Sequence, residues 1–215
     1  AESTLKALEY GAVDFIPKEL SFVNVNIINI REDLIRKVKE IVKQKSVQDR
    51  LRRLQTLNKR TDTAKPSSAI KLSLPKMMYR AIALGVSTGG PMSLQKVIPL
   101  ITKKIDLPIF IVQHMPPKFT KSLAERLNGM SALEVKEAEN DEVVRNGFVY
   151  IAPGGFHMTV RKNIGAQVVI KISEEPSTTL HRPAVDVMIN SVVEIYGKNT
   201  LGVIMTGMGK DGYEG

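Results

Sequence analysis

The chain of 215 residues contains no cysteine and no tryptophan. Without thiols there can be no disulfide and no thiolate metal site, and a reducing compartment is allowed. Histidine is scarce as well. His114, His157 and His181 are the only three, too widely separated to suggest a structural zinc site. Aromatic residues make up 5% of the chain. No apolar run approaches the length needed to span a bilayer, so membrane insertion is not expected.

Acidic residues are also in deficit, with 31 Lys+Arg against 22 Asp+Glu and a net charge of +9. The excess is local. Residues 31–80 hold 15 of the basic and 5 of the acidic groups, so that stretch carries +10 and the remainder −1. Tyr79 is the only aromatic residue within it, so nothing there interleaves to stack bases. A solvated basic helix and linker account for the charge, and no nucleic-acid partner is expected.

What remains is ordinary for a globular chain: 43% hydrophobic and 25% charged residues. The length suits one full domain and part of another. The chain starts at Ala1 and stops at Gly215 after a glycine-rich turn, so both ends are read as truncated.

Residues 4–10 read as the end of a helix with Leu5 and Leu8 on one face, and Gly11 as its stop. Val13 to Lys18 reads as a short strand running into Pro17. A helical stripe follows at Leu34, Ile35, Val38, Ile41 and Val42. Residues 45–78 are polar and basic with prolines at 66 and 75, as in an extended linker. From Tyr79 the pattern changes to alternating strands and helices. Strands are expected at 81–86, 108–112, 148–152 and 201–205, with a hairpin at 157–160 and 167–172. Helices are expected at 91–101, 118–128 and 184–196. The first helix should bury Leu94, Val97, Ile98 and Ile101. Continuous apolar strands alternating with helices predict an α/β fold: a doubly wound, mostly parallel, Rossmann-like sheet with helices on both faces.

In such a sheet, functional groups gather beyond the carboxyl ends of the strands. The first strand runs into Gly85-Val86-Ser87-Thr88-Gly89-Gly90. Glycines on both sides let the chain bend sharply, leaving the Ser87 hydroxyl at the rim above a helix N-terminus. Those are conditions a nucleophilic serine needs. The turn has neither a Walker lysine pattern nor the G-x-G-x-x-G order. The second strand ends in Gln113-His114-Met115-Pro116, and the last leads to Asp211 in a glycine-rich turn. Each residue alone has a plainer role, as a turn former or a strand-end imidazole. Together they match a nucleophile, a base and an orienting acid. A triad in the order Ser87, Asp141, then His157 or His181 is a weaker alternative, because Asp141 sits in the acidic run 139–142, which reads as a solvated loop. Asp186 falls in a first helical turn, where the dipole already explains a carboxylate. Another serine hydrolase acting on small esters, and a non-enzymatic anion- or partner-binding module built on the glycine turns, are the rival readings.

Five motifs occur in order between residues 85 and 212: Gly-Val-Ser-Thr-Gly-Gly-Pro, Gln-His-Met-Pro, Ala-Pro-Gly-Gly-x-His-Met, His-Arg-Pro-x-Val-Asp and Thr-Gly-Met-Gly-x-Asp-Gly. In these the chain resembles the CheB family of chemotaxis protein-glutamate methylesterases. The segment Ala7-Leu8-x-x-Gly11-Ala12-x-Asp14-Phe15-Ile16-x-Lys18 resembles the last third of a receiver domain with a flavodoxin-like fold, although Glu19 stands where that family usually has proline. The resemblance implies a receiver remnant at 1–44, a linker at 45–78 and a catalytic domain at 79–215. It implies Ser87 as nucleophile, His114 as general base and Asp211 as its partner, with the Met208 and Thr88 backbone N–H groups as oxyanion donors. It further implies hydrolysis of glutamyl methyl esters on the cytoplasmic helices of chemoreceptors, glutamine deamidation, a cytoplasmic location, and a chemotaxis histidine kinase as phosphodonor to the full receiver domain. It implies no metal and no cofactor. His157 is expected to be structural, and His181 and Arg182 are candidates for the substrate groove.

Overall fold

The structure is a computed structural model that describes residues 2–16, 31, 32, 34–39, 41, 42, 78–207 and 209–215. The chain divides into two compact units, one of residues 1–15 with 78–215 and the other of residues 16–77. In the second unit the described residues from 31 to 42 are helical. Leu34, Ile35, Val38 and Val42 on that helix are exposed. Lys18 and the expected linker up to residue 77 lie outside the described residues, as does the expected boundary at 44.

The first unit is built on five parallel strands: β1 (Ala81–Val86), β2 (Ile109–Gln113), β3 (Glu134–Glu137), β4 (Phe148–Ile151) and β7 (Thr200–Ile204). Their order is β3-β4-β2-β1-β7. An antiparallel pair, β5 (His157–Lys162) and β6 (Val168–Ser173), forms a separate hairpin. The helices are α1 (Glu2–Glu9), α2 (Gly90–Val97), α3 (Phe119–Met130) and α4 (Val185–Tyr196). The doubly wound parallel sheet expected from the sequence is therefore the observed architecture.

Successive strand residues alternate between two cores, as a period of two requires. Leu84, Val86, Ile109, Ile111, Val149 and Ile151 face one side, where they meet Leu94 of α2 and Leu123 and Leu127 of α3. Ala81, Ala83, Phe110, Val112, Tyr150 and Ala152 face the other, against α4 and the hairpin. Both faces are dry, which explains why these strands read as unbroken apolar runs. The α4 side of β1 presents only Ala81, Ala83 and Gly85. That thin surface brings the helix close, and a Cβ placed on Gly85 would collide with Cγ1 of Val185.

Leu5 and Leu8 of α1 are buried in the first core, and Phe15 packs on Phe119 with ring centroids 4.6 Å apart. Gly11, at φ 106°, ends the α1 turn as expected. Residues 12–16 are not a strand. The Asp14 carboxylate accepts the Phe15 N–H at 2.7 Å, taking a donor that a ladder would need. β3 has no counterpart among the expected strands. It is an edge strand of four residues with one buried side chain, Val135, and its entry is fixed where Val135 N–H donates to Asn128 Oδ1 at 2.9 Å. Val97 is exposed, not buried as its spacing predicts, because Leu94 and Ile98 centre the buried stripe and leave Val97 at its edge. Among the described residues no helix is long and apolar enough to cross a membrane.

Gly85→Ala should overpack the β1–α4 contact and destabilise the protein by about 1–3 kcal/mol. Chemical denaturation, followed by circular dichroism, measures this directly as a lower midpoint at unchanged slope.

Candidate active site

The order of strands reverses direction at β1. The chain goes to β2 on one side and returns as β7 on the other. At such a switch point the loops leaving the two strands part, and a crevice opens beyond their carboxyl ends. A cleft of about 100 Å³ lies there, lined by Ser87, His114 and Asp211 with Val185, Ile204 and Met205.

Ser87 follows β1 directly. Its N–H donates to the Thr206 carbonyl at 2.9 Å, and its own carbonyl accepts the Gly90 N–H at 2.8 Å. Gly89 takes the left-handed conformation, φ 74°, that turns the chain into α2. Pro91 occupies the first turn of that helix, where its missing N–H is not needed. Gly207 passes under the serine so closely that a Cβ there would lie 2.8 Å from Ser87 Cβ. Thr206 Oγ1 donates to the Thr88 carbonyl at 3.1 Å, so the turn after β7 straps the serine loop. Thr88 itself is buried, and Met208, the other expected oxyanion donor, lies outside the described residues.

His114 follows β2, and its N–H donates to the Val86 carbonyl at 3.2 Å. Its ring links the other two groups: Nδ1 lies 3.1 Å from Ser87 Oγ and Nε2 lies 2.7 Å from Asp211 Oδ2. With Asp211 ionised, Nε2 carries the proton and donates it to the carboxylate. Nδ1 is then the bare nitrogen facing the serine hydroxyl. In the familiar Ser-His-Asp arrangement the serine faces Nε2, so the two ring nitrogens have exchanged places here.

Asp211 is held from three directions. Besides His114, its Oδ2 accepts the Val185 N–H at 2.7 Å and its Oδ1 the Asp186 N–H at 2.9 Å. These are orphan donors of the first turn of α4, whose own N-cap residue, Ala184, offers no side-chain acceptor. Burial alone would raise the Asp211 pKa. The His114 hydrogen bond and the two backbone N–H groups outweigh it and hold the carboxyl well below the usual range. Asp211 is therefore a fixed negative charge whenever the protein is folded near neutral pH.

Asp186 does more than sit in a helix dipole. Its Oδ1 accepts the N–H groups of Gly212, Glu214 and Gly215 at 2.9, 3.0 and 2.7 Å. It thereby anchors the segment that carries Asp211. Its place in a first helical turn gives no hint of this, because the three donors come from 26 to 29 residues away.

The remaining candidates separate cleanly. His157 is fully buried. Its Nδ1 accepts the Ala184 N–H at 3.2 Å, which makes Nε2–H the donor to the Pro176 carbonyl at 3.1 Å. This is the structural role expected of it, and burial depresses its pKa. His181 stacks on His114, with centroids 4.2 Å apart and planes at 28°, and so borders the site. The Arg182 guanidinium lies 3.7 Å from Glu174. Asp141, the acid of the alternative order, is paired at 2.7 Å with Arg161 on the surface. Among the described residues no group of three His, Cys, Asp or Glu side chains is placed to hold a metal ion.

A parallel α/β sheet bearing a linked serine, histidine and aspartate on its carboxyl rim has the architecture of a serine hydrolase. The model of the CheB methylesterase family matches residues 82–215, and the chain belongs to that family. It is 43% identical over 215 residues to a protein-glutamate methylesterase/protein-glutamine glutaminase of Pyrococcus abyssi, covering all of this chain and 56% of that protein. A protein of the same name from Archaeoglobus fulgidus is 43% identical over 222 residues, covering all of this chain and 59% of its own length. The chain thus spans a little over half the length of these curated relatives. The crystal structure of the Thermotoga maritima CheB methylesterase catalytic domain matches 63% of this chain and 71% of that one, with 48% identity and a TM-score of 0.60.

Two measurements probe the supports of the site. His157 is depressed in the folded state, so the unfolded chain binds more protons below about pH 6.5 and stability falls as pH drops through that region. His157→Gln should be less stable at pH 7.5 and show a flatter dependence between pH 7.5 and 5, read from denaturant midpoints. Asp186→Ala should free the 212–215 segment, seen as faster amide hydrogen exchange there and a loss of roughly 1–3 kcal/mol of stability.

Proposed function

We propose that the chain carries the catalytic domain of a protein-glutamate methylesterase that also deamidates glutamine, with Ser87 as nucleophile, His114 as general base and then acid, and Asp211 as the partner of His114. The observation that supports this reading most is the unbroken run Ser87 Oγ, His114 Nδ1, His114 Nε2, Asp211 Oδ2, with gaps of 3.1 and 2.7 Å.

The steps follow from the donors. His114 Nδ1 takes the Ser87 proton as Oγ attacks the ester carbonyl. The imidazolium that forms keeps its Nε2–H on Asp211, whose fixed charge stabilises it. As the tetrahedral intermediate collapses, the C–O bond to methoxide breaks and Nδ1 returns the proton, so methanol leaves. A water molecule repeats the sequence on the acyl-serine and releases glutamate. With a glutamine substrate the leaving group is ammonia and the acyl-enzyme is the same. The Met208 and Thr88 backbone N–H groups are the proposed oxyanion donors; one such donor is worth about 3 kcal/mol. The cleft, about 100 Å³, suits a single methyl ester presented at the tip of a side chain.

The substrate would be the cytoplasmic helices of chemoreceptors, reached in the cytoplasm. Residues 1–44 are read as the end of a receiver domain, 45–78 as a linker and 79–215 as the catalytic domain, with a chemotaxis histidine kinase as phosphodonor to the complete receiver.

Methanol release from methylated receptor is the decisive assay. Ser87→Ala, His114→Gln and Asp211→Asn should each lower kcat by roughly 10⁴-fold. Variants that stay folded and retain wild-type methanol release would overturn the assignment. Rapid turnover of small esters beside an inert receptor substrate would favour the small-ester hydrolase instead.

A further inference from the structure

The nucleophile and the base leave two neighbouring strands, and one side chain bridges the backbones beneath them. Gln113 is the last residue of β2 and is only 2% exposed. Its Nε2 donates to the Ser87 carbonyl at 3.0 Å and to the His114 carbonyl at 3.1 Å. Both amide hydrogens are used, one on each residue of the proposed proton-transfer pair. The Ser87 carbonyl also accepts the Gly90 N–H, so both of its lone pairs are occupied and the peptide plane cannot swing.

The amide oxygen marks this as more than space filling. Among the described residues, Gln113 Oε1 is buried and has no hydrogen-bond partner. Turning the amide over would set that oxygen against two carbonyl oxygens, which is worse. A buried amide oxygen without a partner is unfavourable, and an apolar side chain of the same shape would avoid it. The two donated bonds are what the position retains in exchange. Room for the amide comes from Gly90, where a Cβ would collide with Oε1.

We propose that Gln113 is a positioning residue that fixes the separation of Ser87 and His114 by tying their carbonyls to one amide. This inference rests on the triad reading above. Gln113 touches no reacting atom, so its contribution is to hold the 3.1 Å gap between Oγ and Nδ1 within reach of proton transfer. A displacement of about 1 Å in such a gap can cost on the order of 100-fold in rate.

The test compares wild type with Gln113→Met, which keeps the shape and removes both donors, Gln113→Glu, which replaces the donors with acceptors, and Gly90→Ala, which pushes the amide without removing it. Two readouts are taken on protein shown to be folded by thermal melting and normalised to the native fraction. One is the rate at which a phosphonofluoridate labels Ser87, followed by mass spectrometry. The other is kcat and KM for methanol release. All three variants should label roughly ten- to hundred-fold more slowly, with kcat falling in parallel and KM changing less than twofold. Labelling within twofold of wild type in the folded variants overturns the proposal, because a merely structural role would lower the melting temperature and leave Ser87 reactivity intact. If Gln113→Met does not fold, Gly90→Ala decides by the same criterion. Wild type that is never labelled would instead refute the triad reading itself.

Discussion

The Asp211 carboxylate is the junction on which the site depends. It receives the His114 imidazole and the two free N–H groups at the start of α4 at once. One charged group thereby caps a helix, docks the turn after β7 onto the start of α4, and sets the tautomer of the ring. Charge-assisted bonds of this kind are stronger than neutral ones, and three of them converge in a half-buried place. The order of the causes matters. Desolvation works against the ionised form, and the donors overcome it. Removing any of them therefore weakens both the local fold and the fixed charge opposite the imidazole.

Around that junction the loops are tied by backbone bonds more than by side-chain packing. Thr206 takes the Ser87 N–H and also binds the Thr88 carbonyl through its hydroxyl. Asp186 gathers three N–H groups of the following segment. Small residues permit the closeness: Gly207 beneath the serine and Gly85 beneath α4. The sheet thus supplies the direction of each loop, and short polar groups supply its final placement.

Much of this architecture is legible in the amino-acid sequence. The runs at 81–86, 109–112 and 148–151 are apolar on both faces because both faces are covered, so the strands and their doubly wound arrangement can be read directly. Ser87, His114 and Asp211 stand out because each is the polar residue at a strand end or in a glycine-rich turn beyond one. The edge strand at Glu134–Glu137 does not, since one buried valine leaves no period to detect. Of the short strand expected at Val13–Lys18, the described part up to Ile16 is not a strand, because an aspartate claims the next N–H for itself. The bridge made by Gln113, the anchor made by Asp186 and the stack of His181 on His114 all bring together groups that lie far apart along the chain. No local pattern encodes such meetings; they follow only once strand order and register are known.

Register has a further consequence. Val86 and Gln113 are the last paired residues of β1 and β2. The serine and the histidine are the next pair along, one step past the end of the ladder. Parallel neighbours stand about 4.8 Å apart, so the inner nitrogen of the ring suffices to span the gap, and the outer nitrogen is left to reach the third loop. A slip of one residue between β1 and β2 would send the imidazole to the other face of the sheet. Strand alignment thus decides whether the serine and the imidazole meet at all.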